Sequence, residues 1–282
     1  MHLDADGAKG QAQGRDHRGD PGLRGDLIED IITGIDGIDG LIFLRPSRPR
    51  RAKVDPKGAD RLGKADACRD RDERILRARD PEEVEALLSD TWSKFGRLDL
   101  VVNNAGGQFA APATDISPKG WAAVLETNLY GPWFVMQAAA RAWIENGSGG
   151  SIVNIGTVTG RASVGIPHTA AARAGAAGLA ASLSVEWAPH DIRINTIAVG
   201  VVRSPGLVNY PDEARPSFDH NPQRRLGDVQ DIAQAVAFLG SPVTASFVTG
   251  EVFHVAGGEQ VWGEYWALGK PEYFQIEDKS TS

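Results

Sequence analysis

The feature that most constrains the fold is the stretch 98–107, which reads Leu-Asp-Leu-Val-Val-Asn-Asn-Ala-Gly-Gly. An apolar run that ends in Asn and Gly predicts a buried strand entering a tight loop. The glycines remove side chains at a point where another group must come close. In an open α/β sheet, ligands bind beyond the carboxyl ends of the strands. This stretch therefore predicts a strand followed by a ligand-facing loop.

Regular helix and strand patterns begin at residue 80. Asp80 is a good helix cap, Pro81 suits a first turn, and Gly96 suits a helix end. The apolar positions of this helix are Val84, Leu87, Leu88, Trp92 and Phe95. Further helices are predicted over 118–145, 168–187 and 229–239, and strands over 98–102, 151–155, 192–198 and 252–255. Alternation of strands and helices predicts an α/β fold with a doubly wound parallel sheet.

The first 76 residues differ in composition from the rest. Asp, Glu, Lys and Arg make up 33 of the first 80 residues, and this stretch contains one valine and one aromatic residue. Buried parallel strands are usually rich in Val and Ile. We therefore divide the chain into an atypical charged region, 1–76, and a regular domain, 77–282. One reading of the first region is a disordered charged tail.

Composition also narrows the classes of partner. The net charge of −7 argues against nucleic acid and membrane surfaces as partners. No apolar run approaches the roughly 20 residues that span a bilayer, and no secretory signal is recognised. The single cysteine, Cys68, fits a reducing compartment, so we expect a cytoplasmic protein. His168 and His254 have no partners at metal-ligand spacing, so no metal site is predicted.

Several motifs occur in the order found in one family. They are Asn-Asn-Ala-Gly at 103–106, Asn128 in a helix, Asn-Thr-Ile-Ala-Val-Gly at 195–200, Arg-Leu-Gly at 225–227 and Thr-Gly at 249–250. With them, residues 77–266 resemble the short-chain dehydrogenase/reductase family. Residues 104–109 and 168–175 are similar to its branch of trans-2-enoyl-CoA and 2,4-dienoyl-CoA reductases. The resemblance implies a Rossmann-type fold and a homo-oligomer, a dimer or tetramer, formed by the two long helices at 118–145 and 168–187.

The chain departs from this family at the catalytic positions. Most members use Ser, Tyr and Lys, with Tyr and Lys four residues apart on one helix face. Here the serine position reads Thr157, and the other two read Thr169 and Arg173. The resemblance therefore implies a catalytic set of Asn128, Thr157, Thr169 and Arg173. Loss of the tyrosine argues against simple alcohol oxidation, and Tyr130 and Tyr210 are the tyrosines we consider as substitutes.

The resemblance also implies a nicotinamide cofactor, NADP(H), with NAD(H) as the alternative. The residues it assigns to the cofactor are Asn103, Asn104, Ala105, Gly106, Gly200, Val202 and Ser204. The family's phosphate loop corresponds to 33–40, which is one residue out of register and places Asp36 and Asp39 beside the phosphate. This mismatch raises a second hypothesis for 1–76: a degraded or frame-shifted dinucleotide-binding half with irregular first strands.

The function implied is reduction of a 2-enoyl thioester, an enoyl-CoA-like substrate of fatty acid metabolism, with hydride from NADPH. The damaged phosphate loop leaves a catalytically impaired pseudoenzyme or scaffold of the same fold as an alternative. An alcohol or aldehyde dehydrogenase of the same family is a further alternative.

Overall fold

A computed structural model describes residues 79–204, 207, 221–263 and 267, together with the backbone of 41–44. The phosphate-loop candidate, Cys68 and Tyr210 lie outside these residues. In the described part of the chain, no helix is long and apolar enough to cross a membrane.

The helices begin and end close to where the sequence predicts. Helix α1 spans Pro81–Phe95, α2 Pro118–Leu125, α3 Gly131–Glu145, α4 Pro167–Glu186 and α5 Val229–Gly240. The carboxylate of Asp80 accepts a hydrogen bond from the Glu82 amide, and Gly96 ends α1 in the left-handed conformation with φ 69°. The predicted cap and stop of α1 are therefore confirmed.

Five strands form one sheet in the order β1-β2-β3-β4-β5. They are β1 Leu41–Leu44, β2 Leu100–Asn103, β3 Gly150–Thr157, β4 Ile192–Val199 and β5 Val252–Val255. Strands β2 to β5 are parallel, as predicted, whereas β1 pairs antiparallel with β2. Strand β1 lies in the charged N-terminal region, for which a disordered tail and irregular first strands were the two hypotheses.

Apolar side chains cover both faces of the sheet. Successive residues of a strand point to opposite faces, so Val101 and Ile152 pack on one side beneath α1, α3 and α4. Val102 and Val153 pack on the other side beneath α5. Helices on both faces confirm the doubly wound α/β prediction and leave the ends of the strands as the place for a site.

Three details differ from the sequence expectations. The predicted helix 118–145 is interrupted by a π-helical segment, Glu126–Tyr130. Strand β2 is shifted by one to two residues relative to the predicted 98–102. Phe95, placed on the buried face of α1, is 39% exposed because it sits in the final turn beyond the sheet-covered part of the helix.

Candidate active site

The predicted site residues gather at the carboxyl ends of three adjacent strands. Asn103, the last residue of β2, pairs in register with Asn154 of β3, and Thr157, the last residue of β3, pairs with Val199 of β4. The loop with Asn104, Ala105 and Gly106 follows β2, and the segment with Gly200, Val202 and Ser204 follows β4. The geometry therefore brings both predicted cofactor segments to one edge of the sheet.

Arg173 lies at the centre of this edge. It comes from the second turn of α4, and its guanidinium donates a short hydrogen bond to the Ile155 carbonyl near the end of β3. Desolvation lowers the pKa of the guanidinium to about 10, so the group stays cationic at neutral pH. Among the described residues, no carboxylate pairs with it. The result is a partly buried cation with one carbonyl acceptor.

Asn128 and Gly106 complete this junction. The Asn128 amide donates to the carbonyl of Gly107 at 2.7 Å and to that of Val124 at 2.8 Å, which fixes the loop after β2 to the π-helical segment. Its Oδ1 is buried and has no hydrogen-bond partner within the described part of the chain. A Cβ atom at Gly106 would overlap the Arg173 guanidinium and lie 3.1 Å from Asn128 Oδ1. A side chain is therefore excluded at Gly106 because the cation passes so close.

The side chain of Asn103 turns away from the site. It is 2% exposed, and its amide donates to Asn154 Oδ1 at 2.7 Å. Asn154 in turn directs its amide at the sulfur of Met136. This arrangement joins β2 to β3 inside the core, so a cofactor contact by Asn103 is left to its backbone. The motif contains two adjacent asparagines, and residue type alone does not show which side chain points into the core. The strand register shows that it is the side chain of Asn103.

The two threonines occupy different settings. Thr157 is half-buried, and its hydroxyl is 3.4 Å from the Val199 carbonyl of the neighbouring strand. Thr169 is buried in the first turn of α4, with its hydroxyl 3.5 Å from Nδ1 of His168. Both hydroxyls can act as hydrogen-bond donors.

His168 is a feature that the sequence reasoning missed, because it weighed the residue only as a metal ligand. The imidazole is fully buried, accepts a hydrogen bond from the Thr169 amide at Nδ1 over 2.9 Å, and packs edge-on against Phe109 with ring centroids 4.6 Å apart. Its Nε2 has no partner among the described residues. Its position directly before the family's tyrosine position was the available signal.

The segment after β4 borders a separate cavity. This cavity, about 340 Å³, opens between the ends of β4 and β5 and is lined by Gly200, Arg225, His254 and Gly257 among others. Val202 forms an isolated bridge with Gly227. None of Asn128, Thr157, Thr169 and Arg173 lines the cavity. In the described residues no group of three His, Cys, Asp or Glu side chains is placed to hold a metal ion.

The residues at the strand ends fit the nicotinamide half of a dinucleotide. Two groups lie close to Gly106. One is the Arg173 guanidinium, which has one carbonyl acceptor, and the other is Asn128 Oδ1, which is buried and has no partner among the described residues. Hydroxyl groups of a ribose would supply acceptors to the first and a donor to the second. The residues that would hold the phosphates at 33–40 lie outside the described part of the chain.

Comparison with known proteins identifies the family. A family model described as enoyl-(acyl carrier protein) reductase matches residues 65–260. A probable 2,4-dienoyl-CoA reductase of Bacillus subtilis is 38% identical over 179 residues, which are 61% of this chain and 70% of that protein. The 3-oxoacyl-[acyl-carrier-protein] reductase FabG of Vibrio cholerae is 36% identical over 185 residues, 65% of this chain and 75% of that protein.

Solved structures show the same fold. ElxO with NADP bound superimposes with a TM-score of 0.62 at 28% identity, covering 67% of this chain and 78% of that one. A short-chain dehydrogenase from Bacillus anthracis gives a TM-score of 0.60 at 32% identity, with coverage of 67% and 75%. The chain belongs to the short-chain dehydrogenase/reductase family, a family of oxidoreductases, and the Rossmann-type fold expected from its sequence is confirmed.

Proposed function

We propose that this protein reduces the carbon–carbon double bond of a 2-enoyl thioester with hydride from NADPH. The observation that carries the proposal is the junction of Arg173, Asn128 and Gly106 at the strand ends, with a threonine at position 169. The arrangement keeps a cofactor-binding cation and its supporting asparagine but lacks the phenol that carbonyl reduction uses. Similarity to a dienoyl-CoA reductase and to acyl-thioester reductases points to the same substrate class.

In this proposal, the chain holds the cofactor through a cation and a backbone loop. The Arg173 guanidinium donates to the ribose hydroxyls, while the loop carrying Asn104, Ala105 and Gly106 approaches by its backbone. Asn128 holds that loop in place through the Gly107 carbonyl. Bound NADPH supplies the hydride. NADPH is proposed over NADH on family resemblance, because the residues that would distinguish the two lie before residue 79.

The substrate side of the site has to stabilise negative charge. When hydride reaches C3 of the enoyl group, electron density moves to the thioester oxygen, and C2 then takes a proton from solvent water. The hydroxyl of Thr157 lies at the end of β3 and is free to turn from the Val199 carbonyl, 3.4 Å away, to that oxygen. A hydroxyl suits this task because a hydrogen bond to the developing oxyanion is needed, not full proton transfer.

Reduction of a ketone or oxidation of an alcohol makes a different demand. Those reactions transfer a proton directly to or from the reacting oxygen, which requires a positioned acid or base. Tyr130 is the tyrosine within the described part of the chain, and it is 48% exposed on the π-helical segment. Because Thr169 stands at the position of the family's tyrosine, we place the 3-oxoacyl reductase and alcohol dehydrogenase activities second to enoyl reduction.

The proposal is tested by binding followed by turnover. Calorimetric titration with NADPH is expected to give micromolar affinity, about −8 kcal/mol. NADPH oxidation is then followed with crotonyl-CoA and with acetoacetyl-CoA, and NADPH formation is followed with a simple alcohol and NADP⁺. Crotonyl-CoA is expected to be the preferred substrate. A folded protein that does not bind NADPH would instead support the pseudoenzyme alternative, and preference for acetoacetyl-CoA would support a ketone reductase.

A paired substitution locates the oxyanion contact. Thr157→Val keeps the side-chain shape but removes the hydroxyl, and we expect kcat on crotonyl-CoA to fall at least tenfold. Thr244→Val is the control, because Thr244 lies beyond the end of α5 and its hydroxyl donates to the Phe238 carbonyl of that helix, outside the proposed site. Equal activity of the two variants would remove Thr157 from the proposed site.

We further propose a cytoplasmic homo-oligomer, a dimer or tetramer, that uses α3 and α4. Ile144 at the end of α3 is 40% exposed, and Val185 at the end of α4 is 77% exposed. Light scattering coupled to size exclusion tests the state. Val185→Asp is expected to lower the mass to that of a smaller assembly, whereas Val164→Asp, at an exposed position outside both helices, is expected to leave it unchanged.

A further inference from the structure

The imidazole of His168 offers a buried hydrogen-bond donor that no other group in the described part of the chain uses. Its Nδ1 accepts the Thr169 amide hydrogen at 2.9 Å, so Nδ1 carries a lone pair there. In a neutral imidazole one nitrogen donates and the other accepts, which places the ring hydrogen on Nε2. That Nε2 is buried and has no partner among the described residues.

A helix-capping role explains only one of the two ring nitrogens, Nδ1. The Thr169 amide belongs to the first turn of α4, where backbone N–H groups have no partner within the helix. A side-chain acceptor at Nδ1 satisfies one of them. A serine hydroxyl would do the same without burying a second polar atom. The unpartnered Nε2–H therefore remains unexplained by the fold, since buried donors are almost always paired.

Aromatic side chains contact the ring. Phe109 meets it edge-on, and Trp121 of α2 lies 6.4 Å away between ring centroids. The other ionisable groups of α2 and α4 are Lys119, Arg173 and Glu186, and none of them forms an ion pair with the ring. An imidazole N–H in such a place can donate a hydrogen bond to a carbonyl oxygen.

Phe109 and Trp121 stand between His168 and the outside. They are 41% and 40% exposed, while the histidine is fully buried. Phe109 belongs to the same loop as Gly106, and its ring tip also packs against Gly120 of α2. A ligand that reaches the cofactor loop therefore meets these two aromatic side chains before it meets the imidazole.

We infer that His168 is a further catalytic residue, whose Nε2–H donates a hydrogen bond to the thioester carbonyl oxygen once the acyl group displaces Phe109. This inference rests on the proposed enoyl thioester reductase function. The oxygen gains charge as hydride reaches C3, so the hydrogen bond strengthens in the transition state. His168 transfers no proton in this role; it acts together with Thr157 as an oxyanion donor.

Two substitutions separate this role from capping. His168→Asn keeps an acceptor for the Thr169 amide but has no donor at the reach of Nε2, whereas His168→Gln carries an amide N–H at that reach. With crotonyl-CoA, we expect kcat of the Asn variant to be about 100-fold below that of the wild type. We expect kcat of the Gln variant to be at least tenfold higher than that of the Asn variant. NADPH affinity is expected to be unchanged in both. His190→Asn, at a surface turn, is the control.

The outcomes are distinguishable from failure of the proposed function. If the wild-type protein reduces crotonyl-CoA and the Asn variant is equally active, the inference is overturned while the reductase proposal stands. If the wild type reduces no enoyl thioester, the proposed function fails and the inference with it. Should the Asn variant not fold, the wild type is titrated with butyryl-CoA and the His168 Nε2–H proton is followed by NMR. A downfield shift supports the inference, and no shift overturns it.

Discussion

Replacing Arg173 with methionine should make the cofactor-free protein more stable. Desolvation lowers the pKa of this guanidinium from its ordinary value to about 10, which corresponds to a cost of about 3 kcal/mol. Its residual exposure reduces that cost to about 2 kcal/mol. The substitution also removes the hydrogen bond to the Ile155 carbonyl, which destabilises the folded state by about 1 kcal/mol. The net gain expected for Arg173→Met is about 1 kcal/mol, or 2–4 °C in Tm.

Arg193 provides the matched control. It is also a partly buried arginine with a pKa lowered by desolvation, but it donates to four carbonyls, with distances of 2.8 Å to Leu239 and 3.3 Å to Val248 among them. Arg193→Met removes the same charge together with four hydrogen bonds to carbonyls, so we expect a loss of about 2 kcal/mol or more. The same substitution should therefore stabilise the protein at position 173 and destabilise it at position 193.

The assay is urea unfolding with and without NADPH. At 100 times Kd, the cofactor should stabilise the wild type and Arg193→Met by about 2.7 kcal/mol and leave Arg173→Met unchanged. The desolvation cost is constant below pH 10. Above it the folded state releases the Arg173 proton before the unfolded state does, so that contribution to stability rises with pH. Lower stability of Arg173→Met than of Arg193→Met, or retained NADPH stabilisation, would refute the reasoning.

Three further substitutions test the junction and the scaffold. Gly106→Ala places a methyl group against the buried guanidinium and should weaken NADPH binding at least tenfold by calorimetry, whereas Gly107→Ala meets nothing within 4 Å and should bind as the wild type does. Asn103→Ala leaves Asn154 Oδ1 without its 2.7 Å donor and should cost about 1–3 kcal/mol in urea unfolding, and unchanged stability would contradict the pairing. Asp80→Ala removes a helix cap and should cost about 1 kcal/mol without changing NADPH affinity.

Local signals in the sequence were enough for much of the fold. Asp80 and Gly96 mark helix ends through backbone chemistry that acts within a few residues. The segments 192–198 and 252–255 match strands β4 and β5 because their Val, Ile, Thr and Phe residues favour the extended conformation. Their order gave the parallel sheet, and the strand ends gave the edge at which the candidate site residues meet.

The remaining features depend on contacts between distant residues. Asn103 and Asn128 are both asparagines in a motif, yet one pairs across strands and the other fixes a loop, a difference set by strand register and by the π-helical segment. His168 was weighed only as a metal ligand because its value lies in an unpartnered nitrogen, which a sequence does not display. Strand β1 pairs antiparallel in a region whose composition disfavours strands. The four residues of β1 itself, Leu-Ile-Phe-Leu, are nonetheless apolar, and they pair in register with β2.

The most direct test of enoyl thioester reduction follows the transferred hydrogen. The wild-type protein is incubated with crotonyl-CoA and NADPH that carries deuterium at the transferring position of the nicotinamide, and the acyl product is analysed by mass spectrometry and NMR. The account predicts butyryl-CoA with one deuterium at C3. Absence of deuterated butyryl-CoA from a folded, NADPH-binding protein, or labelled 3-hydroxybutyryl-CoA from acetoacetyl-CoA as the sole labelled product, would contradict it.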